Sequence, residues 1–260
     1  MSKPYFLFVT GSFAPAPLYQ NLVDLVKAQG YDIKALQLPT IGIIPGQGRD
    51  TPPATMYDDA ALIAKEVEAL ADAGREIILV AHSYGGMPAT ESTKGLSVEE
   101  RKKEGKKGGI VRLAYKTVLL TTPGHSAMEV LDPPAEGQPL PFQIDEKGWM
   151  SQPDPELVAA TCFSDLPREE GLRWHKLMAQ HSAVSFVNPL THAGYKDVPV
   201  SYLLCEDDVV VPPEIQRREI KMIETETGSK VDVTSIKASH CPTASVPEKV
   251  VDWLLHVALL

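Results

Sequence analysis

Residues 76–90 decide the fold: Glu76-Ile77-Ile78-Leu79-Val80-Ala81-His82-Ser83-Tyr84-Gly85-Gly86-Met87-Pro88-Ala89-Thr90. An apolar, β-branched run leads into x-Ser-x-Gly and then into small residues. That order reads as strand, sharp turn, helix. Such a turn strains the serine backbone and lifts its Oγ above the edge of a sheet. Strand and helix nearly touch there, so the flanking residues must be small. Gly85 and Gly86 meet that need on one side. On the other, Ala81 stands where the G-x-S-x-G pattern has glycine, a small-for-small exchange. Ser83 is therefore a candidate nucleophile, and the rest of the chain must supply its partners.

Upstream, Tyr5-Phe6-Leu7-Phe8-Val9 has the aromatic and β-branched character of a buried strand. Thr10-Gly11-Ser12-Phe13 follows as a turn. Residues 17–28 carry Leu18, Leu22, Leu25 and Val26 at helical spacing and stop at Gly30. Residues 31–38 form a second strand, 39–53 a Gly/Pro-rich loop, and 56–73 a second helix with Leu62, Ile63, Val67 and Leu70 on one face. This alternation predicts a mostly parallel sheet with helices on both faces, an α/β fold. Sites in such folds lie at strand carboxyl ends, which makes the Gly11-Ser12 turn and Ser83 neighbours.

Downstream, residues 93–109 are rich in charge and glycine and read as a solvated helix end and loop, followed by a strand over 113–120. From 123 to 197 the alternation stops. Pro133, Pro134, Pro139 and Pro141 mark an irregular stretch, Trp149-Met150 follows, and 154–163 and 168–180 are helical. The chain thus divides into a core, 1–122 and 198–260, and an inserted, mainly helical cap or lid at 123–197, where substrate specificity would reside. Strands return at 199–205 and 230–236, with helices at 213–225 and 246–260.

The 260 residues are 43% hydrophobic and 23% charged, enough for one sizeable globular core. A net charge of −9, from 25 basic and 34 acidic residues, argues against nucleic acid as a partner. Cys162, Cys205 and Cys241 are dispersed and odd in number, which suggests reduced thiols and a cytoplasmic location. No metal-ligand spacing, secretory leader or membrane span is legible.

Two further loops complete the chemistry. Cys205-Glu206-Asp207-Asp208-Val209-Val210-Val211-Pro212 follows one strand, and Ser239-His240-Cys241 follows the next. The chain order is serine, acid, histidine, each just beyond a strand. His240 is the candidate base that would take the Ser83 proton. Asp208, Asp207 and Glu206 are the candidate acids that would orient the imidazole, Glu206 being the less suited. His82 adjoins the serine and reads as structural. His125, His175, His181, His192 and His256 carry no supporting motif.

On these residues the chain resembles the α/β-hydrolase superfamily over nearly its whole length. More narrowly it is similar to the small cap-bearing group of plant methylester esterases, hydroxynitrile lyases and their microbial relatives. The family's usual His-Gly is Thr10-Gly11 here. The resemblance implies an oxyanion hole from the backbone N–H groups of Ser12 and Tyr84. It also implies a Ser83–His240–Asp208 triad that cleaves a small carboxylic ester or lactone through an acyl-enzyme, with no cofactor and no metal. The lyases of the group carry lysine just after the histidine. Cys241 stands there instead, which speaks against cyanide chemistry. Cofactor-free acyl transfer, lactone formation or C–C bond hydrolysis would use the same triad, aided by dry cap packing around Trp149, Met150, Phe163 and Trp174. A ligand-binding receptor on the same fold is the non-enzymatic alternative.

Overall fold

The computed structural model describes residues 3–131 and 141–260. Pro133, Pro134 and Pro139 lie outside the described residues. In chain order the core runs β1 (Tyr5–Val9), α1 (Gln20–Ala28), β2 (Ile33–Leu36), α2 (Met56–Asp72), β3 (Glu76–His82), α3 (Gly86–Glu91), α4 (Val98–Lys103) and β4 (Gly109–Lys116). The segment 123–197 adds β5 (Gln143–Ile144), β6 (Trp149–Ser151), α5 (Pro155–Cys162), α6 (Arg168–His175) and β7 (His181–Ser182). The core resumes with β8 (Val200–Cys205), α7 (Pro213–Thr227), β9 (Asp232–Ile236), α8 (Pro242–Ser245) and α9 (Pro247–Val257).

Six strands form one sheet in the order β2-β1-β3-β4-β8-β9, with every pairing parallel. Side chains alternate between the two faces. Leu7, Val9, Ile77, Leu79 and Leu113 pack with Ile63 and Val67 of α2 and Ile223 of α7. Phe6, Phe8, Ile78, Val80 and Ala114 pack with Leu22 and Val26 of α1 and Trp253 and Leu254 of α9. Burial on both faces is why these strands read as continuous apolar runs. The strand order reverses between β1 and β3, which pair Val9 with Ala81. The turns after these two strands therefore open side by side at the carboxyl edge, where such sheets bind ligands.

Three sequence expectations change. The charged stretch 99–109, expected as a solvated helix end and loop, is not solvated throughout. Ser97 and Glu100 make a reciprocal capping box that starts α4. Arg101 is buried and bonds Asp72 and the Lys107 carbonyl, because its long stem can pack while its guanidinium stays paired. The strand expected at 113–120 runs instead over Gly109–Lys116. Thr117, with φ +43°, ends the strand, and Leu119 N–H turns to the Ser83 carbonyl at 2.9 Å.

The segment 123–197, expected to be mainly helical, also holds an antiparallel sheet, β5-β6-β7. Trp149 at its centre lies against Gly48, where a side-chain Cβ would come within 2.3 Å of the indole. The Gly/Pro-rich loop 39–53 is strapped to this region by Gly42 N–H to Gln180, Gly46 N–H to Met178 and Ser182 N–H to Thr40.

Candidate active site

Ser83 sits at the turn between β3 and α3 with φ +54°, a left-handed conformation that costs a non-glycine residue roughly 1–3 kcal/mol. Local sequence makes the turn possible. A Cβ at Gly85 would lie 2.6 Å from the Thr10 carbonyl oxygen, so only glycine lets β1 and the elbow approach this closely. Ala81, in the position the motif gives to glycine, is fully buried between Val9 and Tyr115 of the flanking strands.

The structure brings Ser83, His240 and Asp208 into one hydrogen-bonded line. His240 Nε2 is 2.9 Å from Ser83 Oγ, and His240 Nδ1 is 2.8 Å from Asp208 Oδ2. A carboxylate can only accept, so Nδ1 carries the proton and the Nε2 lone pair faces the serine hydroxyl. Asp208 is held in turn. Its Oδ1 accepts the Val210 and Val211 N–H groups at 2.8 and 3.0 Å. Asp207 points to solvent, and Glu206 is taken up by Arg217 and Ser235. The three acidic residues that the sequence left in competition thus occupy distinct environments, and Asp208 alone touches the imidazole.

The turn after β1 places Ser12 between two amides that are already used. Gly11 N–H donates to Tyr19 Oη at 3.1 Å, and Phe13 N–H donates to His181 Nδ1 at 3.3 Å. The Ser12 N–H has no protein acceptor among the described residues. The Tyr84 amide opens the helical turn after Ser83, where N–H groups lack intrahelical partners. The Tyr84 side chain points the other way, its hydroxyl donating to buried Asp59 at 2.9 Å. Asp59 also accepts from Thr40 N–H and Oγ1 (3.0 and 2.6 Å), and burial pushes its carboxyl up to about 7.

Of the other histidines, His82 is buried behind the elbow and bonds Tyr19 Oη and the His240 carbonyl. His181 is fully buried. Burial drives both imidazoles down, His82 well below its ordinary value and His181 to about 3. His125 and His256 are exposed, His175 bonds the Gln152 carbonyl and His192 pairs with Asp197. Tyr19 and His181 bond the Gly11–Phe13 turn beside the site. Neither carries a local signal, since their bonds to the Gly11–Phe13 turn depend on tertiary placement.

A cavity opens above Ser83 and His240, walled by Phe13, Leu131, Met150, Phe163, Trp174 and Phe186. Among the described residues no Asp, Glu, Lys or Arg lines it. Met150, Phe163 and Trp174 reach it from the 123–197 segment, whereas Trp149 packs away from it. Among the described residues no group of three or more His, Cys, Asp or Glu side chains is placed to hold a metal.

A parallel sheet wrapped on both faces, with a serine elbow after its third strand, defines an α/β-hydrolase enzyme. The chain belongs to the alpha/beta hydrolase family, whose pattern it matches over residues 6–253. It is 36% identical to the probable hydrolase R7 of a Phoma species over 258 residues, 99% of each chain. It is 27% identical to the alpha/beta hydrolase nvfD of Aspergillus novofumigatus, covering 99% of this chain and 98% of that one. Methylesterase 1 of Arabidopsis thaliana is 24% identical over 98% of this chain and 96% of its own, consistent with the methylesterase-like group. Among solved structures, a pyrethroid hydrolase from Sphingobium faniae superposes with a TM-score of 0.74 at 23% identity. That match covers 99% of this chain and 98% of that one.

Proposed function

We propose that this enzyme hydrolyses a neutral, apolar carboxylic ester through Ser83, His240 and Asp208. The observation that carries the reading is the continuous line Ser83 Oγ–His240 Nε2 and His240 Nδ1–Asp208 Oδ2 at 2.9 and 2.8 Å. His240 Nε2 takes the Ser83 proton as Oγ bonds to the ester carbonyl carbon. Asp208 holds the tautomer and stabilises the imidazolium. The carbonyl oxygen becomes an oxyanion within reach of the Ser12 and Tyr84 N–H groups, fixed main-chain donors of the type such reactions use. Collapse expels the alkoxide, which takes the proton from His240 Nε2. Water, deprotonated by the same nitrogen, then attacks the acyl carbon and frees Ser83.

The esterase names of several relatives, Methylesterase 1 and polyneuridine aldehyde esterase among them, support an ester as the bond cleaved. The uncharged, aromatic lining supports a neutral, apolar substrate, because an unpaired charge carried into such a site costs several kcal/mol, on the order of the penalty for burying an ion. The same acyl-enzyme handed to a hydroxyl of the substrate in place of water would form a lactone, and a lactone would be opened by the reverse course.

The test is direct. A fluorophosphonate should label Ser83, and p-nitrophenyl butyrate should be cleaved. Ser83→Ala should lose both, with turnover down by about 10⁴-fold or more. Folded protein that neither labels nor turns over would sink the proposal.

A further inference from the structure

The Gly11–Phe13 turn is strained as well as placed. Phe13 has φ +59°, and a non-glycine residue persists there only where its surroundings over-determine it. Two buried histidines provide that constraint from opposite sides. On one side, the His240 carbonyl lies 2.9 Å from His82 Nε2. A carbonyl can only accept, so Nε2 carries the proton and Nδ1 accepts. Tyr19 O–H, 2.8 Å from Nδ1, must then donate to it, leaving the Tyr19 oxygen to accept Gly11 N–H. Burial keeps His82 neutral, and the positive charge of buried Lys116, whose Nζ lies 5.8 Å from the Tyr19 ring centroid, acts in the same direction.

On the other side, Ser185 Oγ gives its proton to the Ser182 carbonyl at 2.8 Å. It therefore accepts from His181 Nε2–H at 2.9 Å, and His181 Nδ1 is free to accept Phe13 N–H. Ala179 N–H closes the grip on the Phe13 carbonyl at 2.9 Å.

We propose that Tyr19, His82 and His181 are positioning residues that hold the Ser12 N–H over Ser83 and tie that turn to the backbone of His240. Each chain of bonds has one permitted direction, so the turn is locked from both flanks while Ser12 N–H alone is left to face the reacting carbonyl. None of the three takes a proton in the reaction. Misplacing a donor by about 1 Å costs on the order of 10²-fold, the size of effect at stake here.

This inference rests on the ester-hydrolase reading, and its test separates the two. Tyr19→Phe removes one hydroxyl. His181→Leu removes the acceptor for Phe13, while His181→Asn keeps an acceptor near the Nδ1 position. Turnover of p-nitrophenyl butyrate is measured per fluorophosphonate-labelled site, alongside inhibition by an alkyl trifluoromethyl ketone, whose adduct with Ser83 Oγ bears an oxyanion. Tyr19→Phe and His181→Leu should each lower kcat by about 10- to 100-fold with KM within about threefold, and should weaken the ketone by a similar factor. His181→Asn should recover to within about fivefold of the parent.

Unchanged kcat per labelled site, a loss confined to KM, or equal losses in His181→Asn and His181→Leu would overturn the inference alone. Parent protein without labelling or turnover would overturn the ester reading, and this one with it. Should His181→Leu not fold, Tyr19→Phe decides by itself.

Discussion

The carboxyl edge of the core sheet and the 123–197 segment face each other across one cavity and are made of opposite materials. The core edge is polar and bonded through: Ser83, His240 and Asp208 form a line, with two backbone amides behind the acid. The facing wall is apolar, with Phe163 and Trp174 stacked at 6.0 Å between ring centroids and Met150 also lining the cavity. On the proposed reading, reaction chemistry lies on the first and substrate choice on the second. A hydrogen-bonded line is destroyed by one misplaced atom, whereas an apolar wall changes by degrees.

The largest effect that tests this contrast lies on the core edge. Asp208→Asn should lower kcat by about 10³- to 10⁴-fold, because the amide no longer enforces the His240 tautomer. Asp207→Asn, one residue away and exposed, should change it by less than about twofold. Steady-state kinetics on a p-nitrophenyl ester distinguish the pair. Comparable losses in both would mean that the loop as a whole, and not the Asp208 carboxylate, supports His240.

The same contrast explains what could be read from sequence. Ser83, Asp208 and His240 each follow a strand whose apolar run is long enough to see, and each lies in a turn with its own residue signature. The strand-end rule brings such turns together without any knowledge of packing. The Asp207–Asp208 ambiguity needed three dimensions, because a one-residue shift in a loop reverses which side chain turns inward. His181 and Phe13 are 168 residues apart, and no local pattern joins them. The buried Arg101 was hidden for a related reason: a run of charges looks alike whether one of its stems packs inward or none does. In the 123–197 segment, strands of two or three residues fall below any legible period, so the small sheet around Trp149 went unseen.

A smaller effect is expected on the apolar wall. Trp174→Ala should leave kcat for p-nitrophenyl acetate within about threefold but shift kcat/KM between acetate and a longer acyl chain by about 10-fold. That is the range a methylene or two contributes in an apolar pocket. An acyl-length series measures it directly. A uniform loss across the series would show that the wall supports the reaction itself, and the division between the two regions would fail.

A different kind of effect, on stability, is expected where the two regions are joined. His181 belongs to the 123–197 segment, yet its Nδ1 accepts from Phe13 of the core turn and its ring meets Tyr84 edge-on at 4.5 Å. Burial lowers its folded-state pKa to about 3 from an ordinary 6.5. Between those values the unfolded chain binds a proton at this residue and the folded chain does not, so folding stability falls as pH drops through that window. The slope from one such group is about 1.4 kcal/mol per pH unit. Asp59, with its carboxyl raised to about 7, contributes the opposite slope between its ordinary value and 7, so the parent's own pH curve mixes the two.

Comparison with His181→Asn removes the shared part, since asparagine does not titrate but keeps an acceptor for Phe13. Denaturant unfolding of both proteins from pH 7 to pH 4 should show the parent losing stability relative to the variant below about pH 6.5. The two curves should run parallel above it. Parallel curves throughout would mean that His181 is released from Phe13 and protonated before the core unfolds.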